Sequence, residues 1–187
     1  MTLERLGSAQ RVLIIGGARS GKSSLAERLL RDEPDVDYVA TSAVGGDDEW
    51  QARVDLHRDR RPDHWRTIES TDLVALLATD GPPLLIDCLT VWLTRIMDRL
   101  GAWDDATWAQ VESLLHDEVT ALVDALEKSS RRAVLVTNEV GQGVVPAEAS
   151  VRRFRDQMGL VNQRIAAASD EVAWSVAGRF VLLESWT

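Results

Sequence analysis

The chain has 187 residues, 45% of them hydrophobic, with a single cysteine and a formal net charge of −9. That length suits one α/β domain over residues 1–187 with a buried core, and the acidic balance (pI near 4.8) argues against nucleic acid as partner, which would need a basic stripe. Cys88 has no partner for an internal disulfide, which fits a reducing cytoplasm, and no apolar run approaches the ~20 residues that span a bilayer.

Residues 1–10 are a mixed polar N-terminal extension without the apolar segment of a leader peptide. The apolar, β-branched run Val12–Ile15 then predicts a buried parallel strand, followed by Gly16-Gly17-Ala18-Arg19-Ser20-Gly21-Lys22-Ser23 and a helical pattern from Ser24 to Leu30. This is the Walker A spacing in its required strand-loop-helix context. Glycines let backbone N–H groups turn inward around phosphate oxygens, and the helix adds the positive end of its dipole. Lys22 can reach the β- and γ-phosphates, and the Ser23 hydroxyl can ligate Mg²⁺.

Further strands are predicted at Val36–Ala40, Leu84–Asp87, Ala133–Thr137 and Glu171–Val176, with helical patterns between them. This alternation implies a P-loop three-layer α/β sandwich with a mainly parallel sheet. Long helices are expected over Asp104–Lys128 and Pro146–Ala168, and Arg179 onward is expected to return as an antiparallel edge strand after a turn at Gly178. Trp92, Trp108 and Trp174 fall in apolar patterns and read as core.

Ligands of such sheets bind beyond the carboxyl ends of the strands, so the residues that follow each strand are the candidates for chemistry. They are Thr41-Ser42 after the second predicted strand, Asp87 ending the third, and Asn138-Glu139 after the fourth. Asp87 reads as a metal or nucleotide contact, the alternative being a cap for the helix that follows. Asn138 and Glu139 fit either substrate contact or loop structure.

Between Asp47 and Trp65 an acid-started helical pattern turns basic around His57. Arg53, His57 and Arg60 recur at i, i+4 and i+7, so one helical face would carry an imidazole between guanidiniums, suited to phosphate and to nucleophilic attack on phosphorus. The bland alternative is an exposed basic helix end with an incidental histidine. His64 reads as loop packing and His116 as solvated.

The segments from Gly16, Tyr38-Val-Ala-Thr-Ser, His57-Arg-Asp-Arg-Arg-Pro-Asp-His-Trp, Leu135-Val-Thr-Asn-Glu-Val-Gly-Gln-Gly-Val-Val-Pro and Val161-Asn-Gln-Arg-Ile-Ala-Ala-Ala-Ser-Asp-Glu-Val together span nearly the whole chain. In this combination the chain resembles the bifunctional adenosylcobinamide kinase / adenosylcobinamide-phosphate guanylyltransferases of cobalamin assembly. The resemblance implies phosphorylation of adenosylcobinamide by ATP or GTP, then transfer of GMP from GTP through a covalent guanylyl-histidine, releasing pyrophosphate. It places that histidine at His57. Nucleotide contacts would fall on Gly16 to Ser23, on Thr41, Ser42 and Ala43, on Arg60, Arg61, Pro62 and Asp63, on Glu69 and on Asp87, the last as a contact to the guanine or, with Ser23, to Mg²⁺.

The resemblance also implies a homotrimer. Three departures accompany it: about ten extra residues before the first strand, Leu56 where a second histidine can stand, and Asp87 where a relative has Glu. A single-activity kinase and a nucleotide-dependent switch are the rival readings. The switch is opposed by the lack of an Asn-Lys-x-Asp guanine-reading motif.

Overall fold

The computed structural model describes residues 2–42 and 61–185. Helix α1 (Thr2–Ser8) leads into β1 (Arg11–Gly16), α2 (Lys22–Leu29) and β2 (Asp37–Ala40). After the gap come β3 (Arg66–Glu69), α3 (Leu73–Leu77), β4 (Leu84–Asp87), α4 (Leu89–Leu100) and α5 (Asp105–Lys128). The chain closes with β5 (Ala133–Asn138), α6 (Ala149–Ala167), β6 (Glu171–Val176) and β7 (Arg179–Leu183).

The strands form one seven-stranded sheet in the order β3-β2-β4-β5-β1-β6-β7, parallel except for the antiparallel β6–β7 pair. Strands buried on both faces explain the near-continuous apolar runs. Side chains alternate along each strand, so Leu13, Val39, Leu84, Ile86 and Leu135 face one core, built with α3, α4, α5 and α6. Val12, Ile14, Tyr38, Leu85 and Val134 face the other, built with Ala26 and Leu30 of the α2 region and Leu6 of α1.

The helix ends follow from local chemistry. Asp104 caps α5 by accepting from the Ala106 N–H at 2.9 Å, and Asp72 caps α3 through the Ala75 N–H at 3.0 Å. Helix α4 buries Leu89, Trp92, Leu93, Ile96 and Met97, a helical stripe, and stops at Gly101 with φ 69°, a conformation that favours glycine.

Three expectations change. The N-terminal extension contains a helix whose Leu6 is fully buried, held by an ion pair from Arg5 to Glu171 at 2.9 Å. Strand β3 escapes the apolar pattern because it is an edge strand with three of its four residues exposed. Trp108 and Trp174 are only partly buried, whereas Trp92 and Trp65 are core residues. Among the described residues no helix is long and apolar enough to cross a membrane.

At the amino ends of the strands, Asp37 is 1% exposed and accepts from Arg66 Nε at 2.7 Å and from the buried Arg131 guanidinium. Burial pushes the Asp37 carboxyl up, but hydrogen bonds from Arg66 and Arg131, with their charges, outweigh this and hold its pKa below the ordinary value of 3.8. A carboxylate held down in this way stabilises the fold above its unfolded-state pKa and loses that contribution as pH falls through its lower, folded-state value. Asp37→Asn strands the Arg131 charge in the interior and is expected to cost about 3 kcal/mol at neutral pH. In chemical denaturation the gap between wild type and variant should narrow only below about pH 4. A gap that stays constant to lower pH would rule out the ion pair as its cause.

Candidate functional site

Strand β1 lies between β5 and β6, with Gly16 in register with Asn138 on one side and Ser175 on the other. A Cβ on Gly16 would lie 2.2 Å from the Ser175 carbonyl oxygen and 2.8 Å from Ser20 Oγ. Only glycine lets the chain leave the sheet here and fold back over its own strand end. Gly21 has φ 99°, and a Cβ there would sit 3.2 Å from Gly178 Cα. The β6–β7 turn in fact supports the loop, since Gly178 N–H and Ser175 Oγ donate to the Ser20 carbonyl at 2.9 and 3.1 Å.

Lys22 opens α2, with its side chain folded back to donate from Nζ to the Gly17 carbonyl at 2.6 Å. Burial lowers its pKa, while negative charge at Cys88 and Asp87 opposes that. The Cys88 thiol is itself pushed up to about 11 by burial and by Asp87. It is therefore neutral at physiological pH, and Asp87 is the standing counter-charge for Lys22. Gly17, Ala18 and Arg19 are exposed at the mouth, Ser23 is half-buried in the first turn of α2, and Ser20 Oγ is buried without a hydrogen-bond partner among the described residues.

Asp87 ends β4 in register with Ala40 of β2 and Val136 of β5. Its Oδ2 accepts from the Tyr38 hydroxyl at 3.1 Å. Beside it, Thr41 is almost fully buried, donating to the Cys88 carbonyl at 2.8 Å and accepting from the Cys88 N–H at 3.1 Å. Thr41 thus ties the end of β2 to the start of α4, and no Asp87 side-chain bond caps that helix. Ser42 follows, half-buried.

Strand β5 separates the glycine loop from Asp87, and its end is locked from both sides. Asn138 N–H donates to Thr90 Oγ1 at 2.9 Å, Thr137 Oγ1 donates to Asn162 Oδ1 at 2.7 Å, and Asn162 Nδ2 donates to the Asn138 carbonyl at 3.1 Å. Glu139 is a loop-building residue in this structure: its N–H donates to the Gly16 carbonyl at 3.1 Å and its carboxylate accepts from the Gly141 N–H. Arg155 of α6 holds the Gly141 carbonyl.

The helical pattern around His57, with Ala43 and Arg60, lies outside the described residues. Arg61, Pro62, Asp63 and His64 form a turn that leads into β3. His64 is exposed rather than packed, lining an open cleft of about 490 Å³ with Asp37 and Arg66 at the amino ends of the strands, the opposite rim from the loop. His116 is exposed on α5, and Glu69 is exposed at the carboxyl end of β3. Sequence reasoning passed over Tyr38, Ser175 and Asn162. Asn162 carried a readable signal, a polar residue among Met158, Val161 and Ile165 on the buried face of α6.

A hydroxyl at Ser23 and a carboxylate at Asp87 are hard oxygen donors of the kind Mg²⁺ takes. Among the described residues no three acidic, histidine or cysteine side chains cluster as a cage.

A glycine loop between a buried strand and a helix, with a lysine and an opposing acid, in a parallel sheet, defines a P-loop phosphate-binding protein. A family model described as cobinamide kinase / cobinamide phosphate guanyltransferase matches residues 12–183, and the chain belongs to that family. Among its relatives, a protein of Salmonella typhimurium named bifunctional adenosylcobalamin biosynthesis protein CobU is 45% identical over 175 residues, 89% of this chain and 96% of the relative. A Pseudomonas aeruginosa protein named bifunctional adenosylcobalamin biosynthesis protein CobP is 44% identical over 173 residues, 90% and 94% of the two chains. Among solved structures, an ATPase of a bacterial type III secretion system superposes with TM-score 0.58 at 10% identity, over 92% of this chain and 54% of that one, a likeness of fold.

Gly16→Ala is expected to push the loop off Ser175. Nucleotide affinity, read by calorimetry, should fall at least about tenfold, with a loss of about 2 kcal/mol in stability. Unchanged affinity would mean that the loop tolerates a Cβ and that the close approach is incidental.

Proposed function

We propose that this chain phosphorylates adenosylcobinamide with ATP or GTP and then moves GMP from GTP onto the resulting phosphate through His57, giving adenosylcobinamide-GDP and pyrophosphate. The observation that carries the reading is the placement of Lys22, buried at the head of α2 behind the glycine loop with Asp87 as its counter-charge, in a chain of this family. The same reading includes a cytoplasmic homotrimer, by resemblance.

In the kinase half, loop N–H groups of Gly16 to Ser23 and the α2 dipole receive the triphosphate, and the Lys22 ammonium exchanges the Gly17 carbonyl for phosphate oxygens. Ser23 and Asp87 would hold Mg²⁺, which would supply charge neutralisation at the leaving group. The acceptor hydroxyl oxygen attacks the γ-phosphorus, the bond to the β,γ-bridging oxygen breaks, the nucleoside diphosphate departs and the hydroxyl proton passes to solvent.

In the guanylyl half, an imidazole nitrogen of His57 attacks the α-phosphorus of GTP and pyrophosphate leaves. An oxygen of the substrate phosphate then displaces His57 from the phosphoramidate. Two displacements replace one between two anions, which is the physical gain from a covalent histidine. Arg61, four residues beyond His57, supplies positive charge beside it in sequence, with Pro62 and Asp63 shaping the turn.

Incubation with Mg²⁺ and GTP labelled at the α-phosphate, without acceptor, should leave acid-labile, alkali-stable label on wild type and none on His57→Ala. No label on folded protein that still phosphorylates cobinamide would reduce the activity to a plain kinase. Asp87→Asn should lower phosphoryl transfer by about two orders of magnitude. Full retained activity would remove Asp87 from the site.

A further inference from the structure

We propose that Tyr38 is a positioning residue that couples the two halves of the site, its hydroxyl orienting Asp87 and its ring face holding the Arg61 guanidinium. This rests on the reading of Asp87 and Arg61 as ligand-facing groups given above.

The sheet register makes the arrangement possible. Tyr38 pairs with Leu85 of β4 and Thr67 of β3, and Asp87 lies one strand over and two residues along, on the same face. That diagonal is within reach of a long side chain. The hydroxyl donates to Asp87 Oδ2 at 3.1 Å, so it fixes the carboxylate plane. On the opposite side, the Arg61 guanidinium carbon stands 3.3 Å from the Tyr38 ring centroid, and Arg61 Nη1 donates to Thr67 Oγ1 at 3.2 Å.

Arg61 has only neutral partners among the described residues, and its Nε is buried with no hydrogen-bond acceptor there. Tyr38 itself is 3% exposed. A side chain needed only for packing at such a depth could be phenylalanine. Here the hydroxyl is satisfied by the candidate metal-side acid instead of by backbone, and the ring carries the first described cation of the segment that begins at His57.

The test is a pair of double-mutant cycles on the full-length protein, with GTP binding read by calorimetry across a Mg²⁺ titration and acceptor-free α-phosphate labelling followed in time. Tyr38→Phe keeps the ring and should leave the melting temperature nearly unchanged. It should raise the Mg²⁺ concentration for half-maximal GTP binding roughly three- to tenfold, the effect of one ordinary intramolecular hydrogen bond. In an Asp87→Asn background the same change should move that midpoint less than about twofold, since its target is gone. Tyr38→Leu should further slow labelling, and that extra loss should vanish in an Arg61→Ala background.

Equal effects of Tyr38→Phe with and without Asp87, or no effect in wild type, would overturn the coupling and leave Tyr38 a core residue. If Asp87→Asn and Arg61→Ala alone change neither binding nor labelling, the reading of the site fails and the coupling with it.

Discussion

The close approach of β1 to β6 at Gly16 is the constraint on which the site depends. With 2.2 Å between a notional Cβ and the Ser175 carbonyl, the strand can end only in a residue without a side chain. Because it ends there, the loop can turn back, rest on the β6–β7 turn through the Ser20 carbonyl, and deliver Lys22 to the head of α2. The antiparallel C-terminal pair is thus part of the phosphate cradle's support, and its turn at Gly178, with φ 70°, places the backbone that Gly21 approaches.

The polar groups divide between the two ends of the sheet. At the amino ends, Asp37 and Arg131 form a buried ion pair that the exposed Arg66 also joins, and Arg131 donates to the Pro82 carbonyl as well. On the other side of this division, partners among the described residues are few: Lys22 has one carbonyl, Asp87 one tyrosine hydroxyl, and Arg61 an aromatic face and the Thr67 hydroxyl. A fold built for stability alone would pair these groups with each other, as it does at the far end. In the proposed function, leaving them partly unpaired keeps them available to phosphate and metal. Insertion of β5 between the loop and Asp87, locked by Thr90 and Asn162, sets the spacing between them.

Much of this was legible in the residues. Apolar runs of the right length marked six of the seven strands, including the antiparallel return at Arg179, and the Walker A spacing located Lys22 and Ser23. Strand β3 was illegible because an exposed edge carries no apolar alternation, and α1 because seven mixed residues need tertiary packing of Leu6 to be a helix at all. Glu139 looked as much like a substrate contact as a loop residue until its N–H was seen to bond Gly16.

The amino-acid sequence by itself determined the sandwich architecture, the phosphate loop and the family, because periodicity and glycine spacing are local properties that survive without coordinates. Only the tertiary structure decided that Tyr38 reaches Asp87, that Arg61 lies over the tyrosine ring, and that Asn162 locks the end of β5. These contacts join residues 23 to 49 positions apart, through strand register and helix docking, or stack a turn back onto the sheet. No local pattern encodes which of the many polar side chains such register will bring together.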